Sequence, residues 1–141
     1  MSSKTAARSK TRRFLLQAMY QTEMMDEEYA SVIDPFIADH NMKRADLDYF
    51  REILTGIHRD IDELRAMISP KLARDFSELD PIEKSILLLG AYELRSRIEI
   101  PYRVVINEGV ELAKSFGASE SFRLINSVLD ALAKDTRQAE Q

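Results

Sequence analysis

A chain of 141 residues, 45% hydrophobic and 31% charged, has the make-up of one soluble globular domain, and a chain of that size buries roughly 70% of its unfolded surface. It has no cysteine, which excludes disulfides, zinc–thiolate sites and thiol catalysis and fits a reducing cytoplasm. No apolar run approaches the ~20 residues of a membrane helix, and no apolar core follows the charged N-terminus as it would in a signal peptide. The net charge of −4 hides an asymmetry: residues 1–13 carry Lys4, Arg8, Lys10, Arg12 and Arg13 and no acid, hence +5, and the remainder carries −9. A basic arm on an acidic body suits nucleic acid. A solvated tail that happens to be basic is the plainer alternative.

Residues 1–10 are rich in Ser, Lys and Ala and lack an apolar anchor, which predicts a flexible basic arm. Such a composition also resembles a mitochondrial transit peptide, but the apolar pattern of the domain begins at once, without a cleavage-like spacer. A single helical domain is expected over 11–134. Its first helix spans about 11–26, with Phe14, Leu15, Leu16, Ala18 and Met19 on its buried side. Arg12 and Arg13 then lie in the first turn, the wrong end for cations beside a helix dipole. A second helix is expected near 29–40, with Pro35 as its first helical residue. A third, over 46–68, repeats Leu47, Phe50, Ile53, Leu54, Ile57, Ile61, Leu64 and Ile68 at three- and four-residue steps.

Residues 71–79 read as one short helical turn. Asp80, Pro81 and Glu83 then form a strong helix start, with Asp as N-cap, Pro at the first position and Glu three residues after the cap. The helix they open, to about residue 95, is apolar nearly all round and should be central. Residues 101–134 read as two amphipathic helices hinged at Gly117. Val105, Gly109, Leu112, Ala113 and Phe116 share one face of the first. Phe122, Ile125, Val128, Leu129 and Leu132 share one face of the second. Asn107, Glu111, Lys114, Arg123, Asn126, Ser127 and Asp130 lie on polar faces. Residues 135–141 read as a polar, frayed tail. Gly56, Gly90 and Gly109 fall inside helices, at a cost of ~1 kcal/mol each against Ala, and the usual return is close approach of neighbouring backbones. No alternating strand pattern of useful length occurs. The expected fold is all-α, about seven helices in two small packed bundles.

No catalytic site is expected. His58 and Asp62 share a helix face, but no further ligands mark a metal site. Glu93 and Glu108 sit beside apolar stripes and read as hydrogen-bonded or partly exposed carboxylates. A phosphate-cradling glycine loop and a nucleophile elbow are both missing. Asn107 and Asn126 fit either a structural hydrogen bond or ligand binding.

The run Val105-Ile106-Asn107-Glu108-Gly109-Val110-Glu111-Leu112-Ala113-Lys114-Ser115-Phe116-Gly117 resembles a signature of the NusB family of bacterial transcription antitermination factors. Gln17-Ala18-Met19-Tyr20, Asp48-Tyr49-Phe50, Ile82-Glu83-Lys84-Ser85-Ile86-Leu87, Tyr92-Glu93-Leu94, Pro101-Tyr102 and Leu124-Ile125-Asn126-Ser127-Val128-Leu129-Asp130 match in order and spacing. The resemblance covers nearly the whole chain. It implies an all-helical binding protein with no cofactor. It also implies that the protein holds the boxA element of nascent ribosomal RNA as a heterodimer with NusE, a small-subunit ribosomal protein, and joins RNA polymerase and other Nus factors. Carried over residue by residue, it implies RNA contacts at Lys4, Arg8, Lys10 and Arg12 and at Glu120, Arg123 and Leu124. Helical proximity adds Arg13 and Gln17, and the polar face adds Asn126. For NusE it implies Tyr20, Glu78 and Glu83.

The chain departs from the pattern at Leu88, Leu124 and Ser127, where the family commonly has Arg, Phe and Gly. If that Phe stacks on a base, Leu124 forgoes about 1–3 kcal/mol. Two rival readings stand beside this one. In the first, the chain is a protein-only helical adaptor or homodimer with an idle arm. In the second, it is an accessory domain of the kind fused to RNA cytosine methyltransferases, for which a chain ending at Gln141 leaves no cofactor-binding domain.

Overall fold

The computed structural model describes residues 3–140. Among them are six α-helices: α1 (Ser3–Met25), α2 (Ile33–Asp39), α3 (Leu47–Ile68), α4 (Pro81–Ser96), α5 (Tyr102–Phe116) and α6 (Ser121–Thr136). Short 3-10 turns cover Tyr29–Val32, Ser69–Lys71, Phe76–Glu78 and Gln138–Glu140, and no strand occurs among the described residues. The all-α class is as expected. The chain divides into two compact units, Met1–Arg59 and Asp60–Gln141. The division falls inside α3, where Asp60 leaves helical backbone (φ −107°, ψ 18°).

The first unit is built on aromatic packing. Phe36 of α2 stacks on Phe50 of α3 at 5.4 Å and on His40 at 3.7 Å, and meets Phe14 of α1 edge-on at 6.2 Å. Leu15, Leu16, Ala18 and Met19 of α1 and Phe50, Ile53, Leu54 and Ile57 of α3 are fully buried, each large side chain stabilising by roughly 1.5–3 kcal/mol. Asp46 caps α3, its carboxylate accepting the Tyr49 N–H at 3.0 Å. The second helix starts earlier than expected: α2 begins at Ile33 after a 3-10 turn, and Pro35 is its third residue. That position is still in the first turn, where a missing N–H costs nothing.

The largest difference from expectation is at the N-terminus. Residues 3–10 were expected to be arm; here they are the opening turns of α1, and residues 1–2 lie outside the described range. Tertiary contacts account for this. Lys10 Nζ donates to the Lys43 carbonyl at 3.0 Å. Thr11 Oγ1 donates to the Ala7 carbonyl and accepts the Asp46 N–H at 2.7 Å. The Arg8 guanidinium lies 4.1 Å from the Tyr49 ring centre and 3.7 Å from Asp46. Arg12 and Arg13 are therefore inside α1 rather than in its first turn.

The second unit is built on α4, α5 and α6. The start of α4 is the expected capping box: Asp80 accepts the Glu83 N–H at 2.8 Å and Glu83 accepts the Asp80 N–H at 3.4 Å. Leu88, one of the departures from the family pattern, is fully buried in this helix. Leu129 of α6 wedges between the two helical glycines. A Cβ on Gly90 would sit 2.6 Å from it and one on Gly109 2.8 Å. The glycines thus make room for a leucine side chain, which itself brings α6 against α4 and α5. Gly117 ends α5 as expected, with Ala113 O and Ser121 Cβ too close for a side chain.

Two stripe residues are corrected. Phe116, the last residue of α5, is 39% exposed, and Phe122, the second residue of α6, is only partly buried. The tail is corrected too. Arg137, expected to be frayed, is 4% exposed. Its guanidinium donates to the carbonyls of Leu94 (2.7 Å), Ile100 (2.8 Å), Arg97 (3.0 Å) and Glu93 (3.2 Å). Leu94 O at the end of α4 thereby gains a donor, Glu93 O gains a second beside the Arg97 N–H, and the carbonyls of Arg97 and Ile100 in the following connector are also engaged. Glu140 does the converse for α5, accepting the Tyr102 N–H at 3.1 Å.

Candidate nucleic-acid interface

The charge order of α1 runs against its dipole. No acid lies in its first turn and no base in its last, whereas stability favours acids at the N-terminus and bases at the C-terminus. Lys4, Lys10 and Arg13 are exposed along its N-terminal half. Arg8 is largely covered by Tyr49 and Asp46. Arg12 is 3% exposed, with its guanidinium 6.0 Å from the same Tyr49 ring. Of the five N-terminal cations, three thus face outward and two are drawn inward. Lys10, Arg13, Phe14 and Gln17 line an open hollow of about 470 Å³ with Ala6 and Ser9, all of them on α1. Gln17 is exposed at its edge.

In the second unit Glu120, Arg123 and Leu124 lie at the α5–α6 turn, Asn126 further along α6 and Asn107 in the first half of α5. Arg123 is exposed and pairs with Glu120 at 2.6 Å. Asn126 and Asn107 are exposed and Leu124 is partly buried. The sequence reading passed over Phe122, assigning it to the core. Its ring centre lies 5.4 Å from both Lys114 Nζ and the Arg123 guanidinium, so a partly exposed aromatic is flanked by two cations. The signal was available: Phe122 directly precedes Arg123, one residue into a helix, where a side chain is easily left uncovered.

The residues expected to meet a protein partner differ among themselves. Tyr20 is exposed on α1, followed by Met24 and Met25 at 59% and 65%. Glu78 is exposed in its 3-10 turn. Glu83 is 8% exposed and accepts from Ser121 Oγ at 2.9 Å, which ties the start of α4 to the start of α6. His58 is paired with Glu28 at 3.7 Å. Among the described residues, no group of three or more His, Asp or Glu could hold a metal, and no helix is long and apolar enough to cross a membrane.

The described residues form an all-helical scaffold with exposed cations along the N-terminal half of α1 and near the start of α6. The NusB family model matches residues 9–134, and the chain belongs to the NusB family; the relatives it matches bear the name transcription antitermination protein. It is 45% identical to the transcription antitermination protein NusB of Alcanivorax borkumensis, over 98% of this chain and 92% of that protein. Its identity to the protein of the same name from Hahella chejuensis is 43%, over 99% and 94%. The solved structure of T. maritima NusB superposes with a TM-score of 0.83 at 26% identity, covering 94% of this chain and 95% of that one.

Proposed function

We propose that this chain acts in transcription antitermination in the cytoplasm by binding the boxA element of nascent ribosomal RNA as a heterodimer with NusE, within an assembly of RNA polymerase and other Nus factors. The observation that carries the reading is the hollow beside α1. Lys10 and Arg13 line it with Ala6, Ser9, Phe14 and Gln17, and no carboxylate lines it among the described residues. Phosphates neutralise such cations and release counterions, each contact on a single strand contributing about −0.7 to the log–log salt slope, so the three outward-facing cations of α1, Lys4, Lys10 and Arg13, predict about −2.1. The α5–α6 turn, with Phe122 and Arg123, supplies a stacking ring of the kind single-stranded RNA recognition uses.

The test is a boxA gel shift with and without NusE over a salt series, on the full chain and on K10A/R13A. The reading expects weaker binding by the variant and a slope shallower by about 1.4. Equal affinity and slope would remove α1 from the interface. The exposed Tyr20, Met24 and Met25 favour a second reading, a protein-only adaptor or homodimer. Concentration-dependent sedimentation together with no RNA binding at low salt would select it.

A further inference from the structure

After Arg13 the next cations in the chain are Lys43 and Arg44, and six acids lie between. The fold returns these two to the N-terminal half of α1. The Lys10–Lys43, Thr11–Asp46 and Arg8–Asp46 contacts hold the 41–46 turn there. Inside the turn Asn41 accepts the Lys43 N–H at 3.1 Å and the Met42 carbonyl accepts the Ala45 N–H at 3.0 Å. Met42 is buried. Arg44, held between these contacts, is exposed and has φ 71°, in the left-handed region that side chains disfavour.

Arg44 lines a hollow of about 600 Å³ with Ser3, Ala6, Ala7 and Lys10. This hollow shares Ala6 and Lys10 with the one that reaches Arg13 and Gln17. The two hollows adjoin at Ala6 and Lys10, and the one that holds Arg44 is lined by small side chains of α1 and by one cation from each of two elements, Lys10 and Arg44.

We propose that Arg44 is a phosphate-contacting residue, and that the groove between α1 and the 41–46 turn takes the sugar–phosphate backbone of a single RNA strand. This rests on the RNA-binding reading above. Small lining residues let a backbone approach closely, and two cations lining the same hollow suit a polyanion. Arg44 adds a planar, bidentate donor where Lys10 supplies a point charge. No acidic residue lines either hollow among the described residues, so the groove favours an anionic strand over a basic peptide.

The test is fluorescence anisotropy of a labelled boxA oligoribonucleotide, with NusE present and absent, over a salt series, on the full chain, Arg44→Gly and Arg44→Lys. Arg44→Gly should weaken binding roughly three- to tenfold at low salt and make the slope shallower by about 0.7. Its melting temperature should not fall, because glycine accepts the left-handed backbone. Arg44→Lys should restore the slope and part of the affinity. If the parent chain binds and Arg44→Gly matches it in affinity and slope, the role of Arg44 is overturned and the RNA reading stands. If the parent chain fails to bind with or without NusE, the RNA reading falls and this inference with it.

Discussion

In the unit 60–141 the guanidinium of Arg137 donates to four backbone carbonyls and is buried; in the unit 1–59 Lys4, Lys10 and Arg13 face outward from a helix whose charge order opposes its dipole. The second unit uses charge to close its own helix ends. Glu83 joins the starts of α4 and α6, and Glu140 caps α5. In the first, Arg8 and Arg12 pack against Tyr49 and Lys10 donates to the Lys43 carbonyl, while Lys4, Lys10 and Arg13 stay exposed along α1. The contrast teaches that a cation's sequence position says little about its use until its acceptors are known.

The comparison breaks most readily at Leu129. Leu129→Ala should cost about 3–4 kcal/mol in urea unfolding. Gly109→Ala alone should cost about 1–2 kcal/mol, overpacking outweighing the better helix propensity. In the Leu129→Ala background it should cost less, because the clashing methyls are gone. Strict additivity would show that the glycine and the leucine do not share one space.

Arg137→Ala should cost about 3 kcal/mol by removing the guanidinium donors of the Leu94, Arg97 and Ile100 carbonyls. Hydrogen exchange should rise around residues 97–105 and not in α1. Arg137→Lys should recover little, since an ammonium cannot reproduce the planar fork. Equal exchange in α1 would mean that the two units do not open separately.

Phe122→Leu should leave the melting temperature nearly unchanged and weaken boxA binding by about 1–2 kcal/mol without altering the salt slope, the signature of lost stacking rather than lost charge. A changed slope with unchanged affinity at low salt would reassign the effect to Lys114 and Arg123.

The smallest effect concerns Glu140. The Tyr102 N–H donated to its carboxylate lowers its pKa; desolvation opposes this, and Arg137 alongside lowers it further. A lowered carboxylate pKa contributes stability that is fully present above the ordinary glutamate value and is lost as pH falls through the folded-state value. Glu140→Gln should therefore melt slightly below the parent chain at pH 7, and the two should converge in acid. A gap that persists at low pH would show that the hydrogen bond, and not the charge, is what matters.

Much of this architecture is written locally. The three- and four-residue apolar steps of α3, α5 and α6 mark their inner faces, and Asp80, Pro81 and Glu83 mark the start of α4 within a single turn. The ordered family segments, from Gln17 to Asp130, are also local, and they place the chain in its family. Such signals need only neighbours three or four residues away. The tertiary structure decided what each surface meets: Tyr49 draws in Arg8 and Arg12, the 41–46 turn brings Arg44 back to α1, and Leu129 fills the space of two glycines. Arg137 finds acceptors 37 to 44 residues earlier in the chain. Periodicity fixes which side of a helix turns inward, but a side chain's partner across such a separation is set only when the packed helices bring the two together.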